Sequence, residues 1–110
     1  MAILTGYRLM WMMVMFDLPV GTKAERKAAT EFRKGLLDDG FEMSQFSIYT
    51  RLCAGREQAE THVRRVRNIV PDGGKVDILF FTDKQFEKMI SFTAGKRRAP
   101  RKNPDQLVMF

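Results

Sequence analysis

The sequence predicts an α/β sandwich of βαββαβ order, the ferredoxin-like arrangement, in which an antiparallel sheet carries two helices on one face. Three observations predict it. Two short apolar runs, Leu9–Phe16 and Ile78–Phe81 within Val76–Thr82, have the length of strands rather than helices. Two amphipathic stretches of helical spacing separate them, one on each side of a third strand-like segment, Phe41–Cys53. The chain has 110 residues, 45% of them hydrophobic, which suits one small domain with a modest core.

Leu9–Phe16 is eight apolar residues closed by Asp17-Leu18-Pro19. Both parities are apolar, as in a strand covered on both faces. Thr22-Lys23-Ala24-Glu25 fits a capping box. Behind it Ala24, Ala28, Ala29, Phe32 and Leu36 form an apolar stripe, and Gly40 is a natural stop. Phe41–Cys53 is long enough for one bent strand or two. Phe46, Ile48 and Leu52 share one parity there, and Ser47, Tyr49 and Arg51 the other. Arg56–Val70 is the second helix, with Ala59, Val63, Val66 and Val70 inward. After the turn Pro71-Asp72-Gly73-Gly74 comes the strand Val76–Thr82. Thr82-Asp83-Lys84-Gln85 can cap a short helix carrying Phe86, Met89 and Ile90. Residues 1–92 form the predicted domain. Residues 93–110 form a basic tail ending in the apolar Leu107–Phe110. The helices can cover one sheet face, and little of so short a chain remains for the other. A dimer packed sheet to sheet is the expected solution.

The formal net charge is +6, which suits polyanions such as nucleic acid or an anionic membrane surface. It is unevenly spread: residues 1–92 hold 14 basic and 12 acidic side chains, and residues 93–110 hold 5 and 1. Within the body, Lys23, Arg26, Lys27, Arg33 and Lys34 share the polar face of the first helix, fit for phosphates or simply for solvent. In the tail, Lys96–Lys102 has five basic residues in seven, Arg97 and Arg98 among them, and suits any acidic partner. No base-reading motif or phosphate-binding loop is present. Cys53 has no partner for a disulfide, which implies a reducing compartment, and one Cys is too few for a Cys-based zinc site. The longest apolar run falls far short of the ~20 residues of a membrane span. A soluble cytoplasmic protein is expected.

Asp17 is the leading candidate for chemistry. It stands where an apolar strand runs out into a turn, which holds a carboxylate rigidly and open to solvent. A carboxylate there can also simply accept hydrogen bonds from turn N–H groups. Cleavage of a phosphodiester with magnesium usually needs more than one carboxylate. No second acid lies near Asp17 in the sequence; a two-fold dimer would supply a second Asp17. His62, the only histidine, borders an apolar stripe and reads as a partly buried core residue. Ser47 lacks a His or Asp at triad-like spacing. Asp77 opens a strand and is expected to pair with a neighbouring Lys or Arg. The eight methionines, four of them within Met10–Met15, read as core filling.

The strand end Val14-Met15-Phe16-Asp17-Leu18-Pro19, the helix with Arg26, Gly40, Gln45-Phe46-Ser47-Ile48-Tyr49 and Asp77-Ile78-Leu79-Phe80-Phe81 follow one another at a spacing that resembles CRISPR-associated protein 2. The resemblance spans about Leu9 to Phe81. The chain departs from the family pattern in having Phe16 where Tyr is usual before the Asp, which would remove a hydroxyl from the site, and in having Ile48-Tyr49 where Val-Phe is common. The long basic tail is similar to versions from systems with a single large RNA-guided effector nuclease.

The resemblance implies a homodimer with two Asp17 carboxylates near its axis, able to bind one magnesium, or manganese in its place. It implies a terminal strand added to the partner's sheet. It implies a metal-dependent endonuclease acting on RNA or double-stranded DNA. It also implies a scaffold for the CRISPR integrase, CRISPR-associated protein 1, in which Lys23, Arg26, Lys27, Arg33, Lys34, Arg97 and Arg98 would hold duplex DNA by its backbone during spacer acquisition. No membrane partner is expected. The rival from another class is a ferredoxin-like ribonuclease toxin acting on cellular mRNA.

Overall fold

In the computed structural model, which describes residues 9–100, the elements run β1 (Leu9–Asp17), α1 (Lys23–Asp38), β2 (Glu42–Gln45), β3 (Ile48–Ala54), α2 (Arg56–Ile69), β4 (Lys75–Thr82), α3 (Asp83–Glu87), β5 (Phe92–Thr93) and β6 (Lys96–Arg97). The first four strands form one sheet of order β2-β3-β1-β4, antiparallel throughout. This is the predicted βαββαβ sandwich. The expected tail strand Leu107–Phe110 lies outside the described residues.

Side chains alternate across β1, and the strand divides the protein into two layers. Met10, Met12, Val14 and Phe16 are buried and form the core with Ala29, Phe32 and Leu36 of α1 and Ala59 and Val66 of α2. Each large apolar side chain buried here is worth about 1.5–3 kcal/mol. The other parity points away from α1 and α2. Trp11 is covered there by α3, stacked on Phe86 at 4.0 Å between ring centroids, with its indole N–H donating to Asp83 at 3.0 Å. Beyond α3 the cover ends. Met13 and Met15 are only half-buried, and Leu79, which pairs with Met13, is 50% exposed. The sheet is therefore apolar on both faces, as its sequence requires, and covered on one.

α1 begins with the predicted capping box: the Thr22 hydroxyl accepts from Glu25 N–H at 3.1 Å, and the Glu25 carboxylate accepts from Thr22 N–H at 2.9 Å. It ends at Gly40, whose φ of +86° favours glycine, and where a Cβ would meet the Arg51 guanidinium at 2.7 Å. The segment Phe41–Cys53 is two strands, not one bent strand. They are joined by a turn at Phe46-Ser47 with a register shift between Met43 and Gln45. Phe46 consequently leaves the strand parity it was expected to share with Ile48 and Leu52. Residues 92–97, across the expected start of the tail, form a small hairpin instead of a linker. Ala94 and Gly95 take φ of +53° and +78° at its tip, the twist that suits a tight antiparallel turn.

His62 is buried and bound. Its Nδ1 lies 2.7 Å from Asp39 Oδ2, and the acceptor being a carboxylate, the ring nitrogen donates. Arg65 donates to the other Asp39 oxygen at 2.8 Å, and Arg51 donates to the Asp39 carbonyl. One side chain thus ties the end of α1 to α2. Replacing Asp39 by Ala leaves a buried imidazole without its acceptor. It should cost about 2–3 kcal/mol of stability, read as a lower urea midpoint with an unchanged slope. An unchanged midpoint would show that the network carries no net stability.

Cys53 is fully buried. Burial pushes its thiol above the ordinary value of 9.0, with the Arg51 guanidinium opposing. A raised value in the fold means that the native state holds the proton more tightly than the unfolded chain. This contribution to stability is complete below about pH 9 and is lost as pH rises beyond it. Iodoacetamide at pH 8 should leave the native protein unlabelled and modify it readily in denaturant; native labelling at the denatured rate would contradict the burial.

Candidate functional site

Asp17 is the last residue of β1 and belongs to the parity of Met13 and Met15, so it stands at the rim of the uncovered sheet face. It is exposed, and Lys75 pairs with it across β4. Two residues further along β4, on the same face, is Asp77. Met15, Phe16, Asp17, Lys75 and Asp77 line one shallow depression of about 240 Å³. The Lys75 ammonium lies 3.9 Å from the Asp77 carboxylate, the pairing expected for Asp77.

A second acid does therefore approach Asp17, supplied by strand pairing and not by sequence proximity. Its parity with Lys75 is visible in the sequence; the register that sets both against Asp17 is not. The donors are exposed carboxylate oxygens. They fit a magnesium or manganese ion that keeps most of its water. Among the described residues no cluster of three or more His, Cys, Asp or Glu is suited to a metal, so these residues of a single chain provide no all-protein cage.

Phe16 points the opposite way from Asp17. It is buried under α1, edge-on to Phe32 at 5.0 Å and tilted against Tyr49 at 5.6 Å. The ring packs in the core, and Phe16 also borders the depression at Asp17 without a hydroxyl to offer it. His62 is not near enough to serve Asp17. Its network reaches β3 at Arg51, which pairs with Met12, five residues from Asp17 and so about 17 Å along the strand.

Of the expected basic face, Lys23, Arg26, Lys27 and Lys34 are exposed on α1, and the first three border a broad trough with Ala24 and Thr30. Arg26 is partly committed, donating to the Val20 carbonyl at 3.1 Å. Arg33 departs from this face. It is half-buried at the helix edge, its guanidinium carbon 4.9 Å from the Phe46 ring and 5.9 Å from Phe16. Position 33 is where the polar stripe meets the sheet, and aromatic rings there draw the guanidinium down. Arg97 and Arg98 are exposed in and beside β6, in a separate two-stranded sheet and outside the depression at Asp17. Among the described residues, no helix is long and apolar enough to cross a membrane.

A family model described as CRISPR associated protein Cas2 matches residues 10–89. A protein named CRISPR-associated endoribonuclease Cas2 from Paracidovorax avenae is 61% identical over 97% of this chain and 99% of its own length. One of the same name from Flavobacterium psychrophilum is 52% identical over 97% of this chain and 93% of its own. A solved structure described as "Crystal structure of cas2" superposes with a TM-score of 0.57 over 86% of this chain and 97% of its own; at 20% identity it speaks for the fold. Taken with a ferredoxin-like sheet that ends in an exposed aspartate, these likenesses place the chain in the CRISPR-associated protein Cas2 family.

Proposed function

We propose that this chain is a homodimeric endonuclease of RNA or double-stranded DNA that also holds duplex DNA for an integrase. The observation that carries the reading is the position of Asp17, at the rim of the one sheet face left apolar and uncovered. Two copies joined through Met13, Met15 and Leu79 would cover that face. They would bring two carboxylate-bearing rims together, and so supply the ligands that a single protomer lacks. The names of the relatives support ribonuclease activity; the exposed cations support contact with nucleic acid.

In such a site Asp17 would hold a divalent cation, assisted by the opposing Asp17. Lys75 places a positive charge beside the scissile phosphate. Asp77 keeps Lys75 oriented along the strand. When bound, the cation would neutralise charge on the attacking and leaving oxygens. His62 takes no part, since it is buried and its hydrogen-bond network meets β1 at Met12, about 17 Å along the strand from Asp17.

The reading is tested by incubating the purified protein with labelled single-stranded RNA and duplex DNA, with magnesium, manganese or chelator. Cleavage that requires the metal supports it; cleavage unaffected by chelator rejects the metal site at Asp17, and no cleavage of either substrate rejects the nuclease assignment.

The scaffold role depends on other residues. Lys23, Arg26, Lys27, Lys34, Arg97 and Arg98 are exposed, and each phosphate contact contributes close to one unit of slope in a plot of log affinity against log salt. Replacing Arg26 and Lys27 together by Ala should weaken duplex binding at every sequence alike and lower that slope by about 1–2. An unchanged slope would remove α1 from the interface.

A further inference from the structure

We propose that Phe46 is a stacking platform for an unpaired nucleobase beside Asp17, backed by the Arg33 guanidinium. Phe46 is 73% exposed, more than any other large apolar side chain among the described residues. A phenyl ring so exposed contributes almost nothing to the core. It is nevertheless held in place. It sits at the tip of the tight β2–β3 turn, and the Arg33 guanidinium carbon lies over its ring at 4.9 Å. Arg33 is itself fixed by packing: it also lies over Phe16, and its Nε is buried with no hydrogen-bond partner among the described residues. The guanidinium lies over the Phe46 ring while most of the residue stays exposed.

The platform adjoins the site through the backbone. The Phe16 N–H donates to the Ser47 carbonyl at 3.1 Å. Phe46 therefore follows the strand end that carries Asp17, one residue beyond the last bond. Lys75 and Asp77 flank Asp17 on the β4 side, and Phe46 and Arg33 stand on the β3 side. Arg33 reaches the ring from the helix layer, so a dimer formed through the opposite sheet face leaves the platform open.

The chemistry selects the ligand. An exposed aromatic face accepts any base, because every base offers a π surface, and it does so without reading sequence. A base inside a duplex already has its stacking partners, so the platform serves single strands. A guanidinium beneath the ring adds positive charge where the adjoining phosphates would pass. Phe46 would thus hold a base flanking the bond presented to Asp17, as a positioning residue.

This inference rests on the reading of Asp17 as a nucleic-acid site, and the test separates the two. Binding of labelled single-stranded RNA and of a duplex of equal length is measured in chelator by fluorescence anisotropy, on the full chain and on Phe46→Ala and Phe46→Trp. Phe46→Ala should lose about five- to 100-fold in single-strand affinity. Its duplex affinity should stay within about twofold, since phosphate contacts carry that term. Phe46→Trp should restore single-strand binding, and its added indole fluorescence should be quenched by the RNA. Unchanged single-strand affinity in Phe46→Ala, or equal loss on both ligands, overturns the platform while leaving the Asp17 site standing. A change of oligomeric state in Phe46→Ala would assign the ring to a protein contact and also overturn it. A native protein that binds neither ligand refutes the underlying reading and this inference with it.

Discussion

Asp17→Ala is expected to lower metal-dependent cleavage by about 100-fold or more while leaving the fold intact. A bound divalent cation contributes several kcal/mol to a phosphodiester transition state, and each 1.36 kcal/mol is tenfold in rate. Removing its principal ligand forfeits most of that. The carboxylate is exposed at a strand end and contributes to neither core nor cap, so stability should move by no more than about 0.5 kcal/mol. Initial rates on RNA and on duplex DNA, with thermal melts run in parallel, decide the matter. Asp77→Ala should cost less, because Asp77 acts through Lys75. Full cleavage by Asp17→Ala would remove Asp17 from the active site. Salt-dependent DNA binding that survives unchanged in the inactive protein would separate the scaffold role from the nuclease.

Leu79→Glu is expected to convert a dimer to a monomer. Leu79 lies on β4 opposite Met13, at the middle of the uncovered face, and is half-exposed in the single chain. In a dimer packed through that face a glutamate here would be buried with no cation to meet it, at a cost of several kcal/mol. Association should weaken by at least about 100-fold, seen by sedimentation at micromolar concentration. Cleavage should fall with it, because each monomer retains only its own two carboxylates. The monomer should still unfold cooperatively, since the helix-side core is untouched. A Leu79→Glu protein that remains dimeric would reject this face as the interface.

How far the site was legible differs from residue to residue. Asp17 announced itself, because a carboxylate after an unbroken apolar strand is a local feature. So did the capping box at Thr22 and the helix stop at Gly40, which depend on neighbours three or four positions away. Asp77 and Lys75 did not, because they meet Asp17 only through strand pairing, and pairing register is set between segments some sixty residues apart. Arg33 was placed with the solvent-facing cations by helical periodicity. An aromatic ring of β1 and another of the β2–β3 turn decided otherwise, and periodicity contains no information about them.

The sequence by itself determined the element order, the sandwich, the family resemblance and the excess of apolar sheet surface. These follow from local periodicity and from the ratio of apolar residues to chain length. Only the tertiary structure decided which face was left open, that Phe16 turns into the core while Asp17 turns out, and that the turn carrying the exposed Phe46 is bonded to the end of β1. The physical reason is the two-residue alternation of a strand combined with register: a shift of one position would exchange the two faces and leave the composition of each segment unchanged.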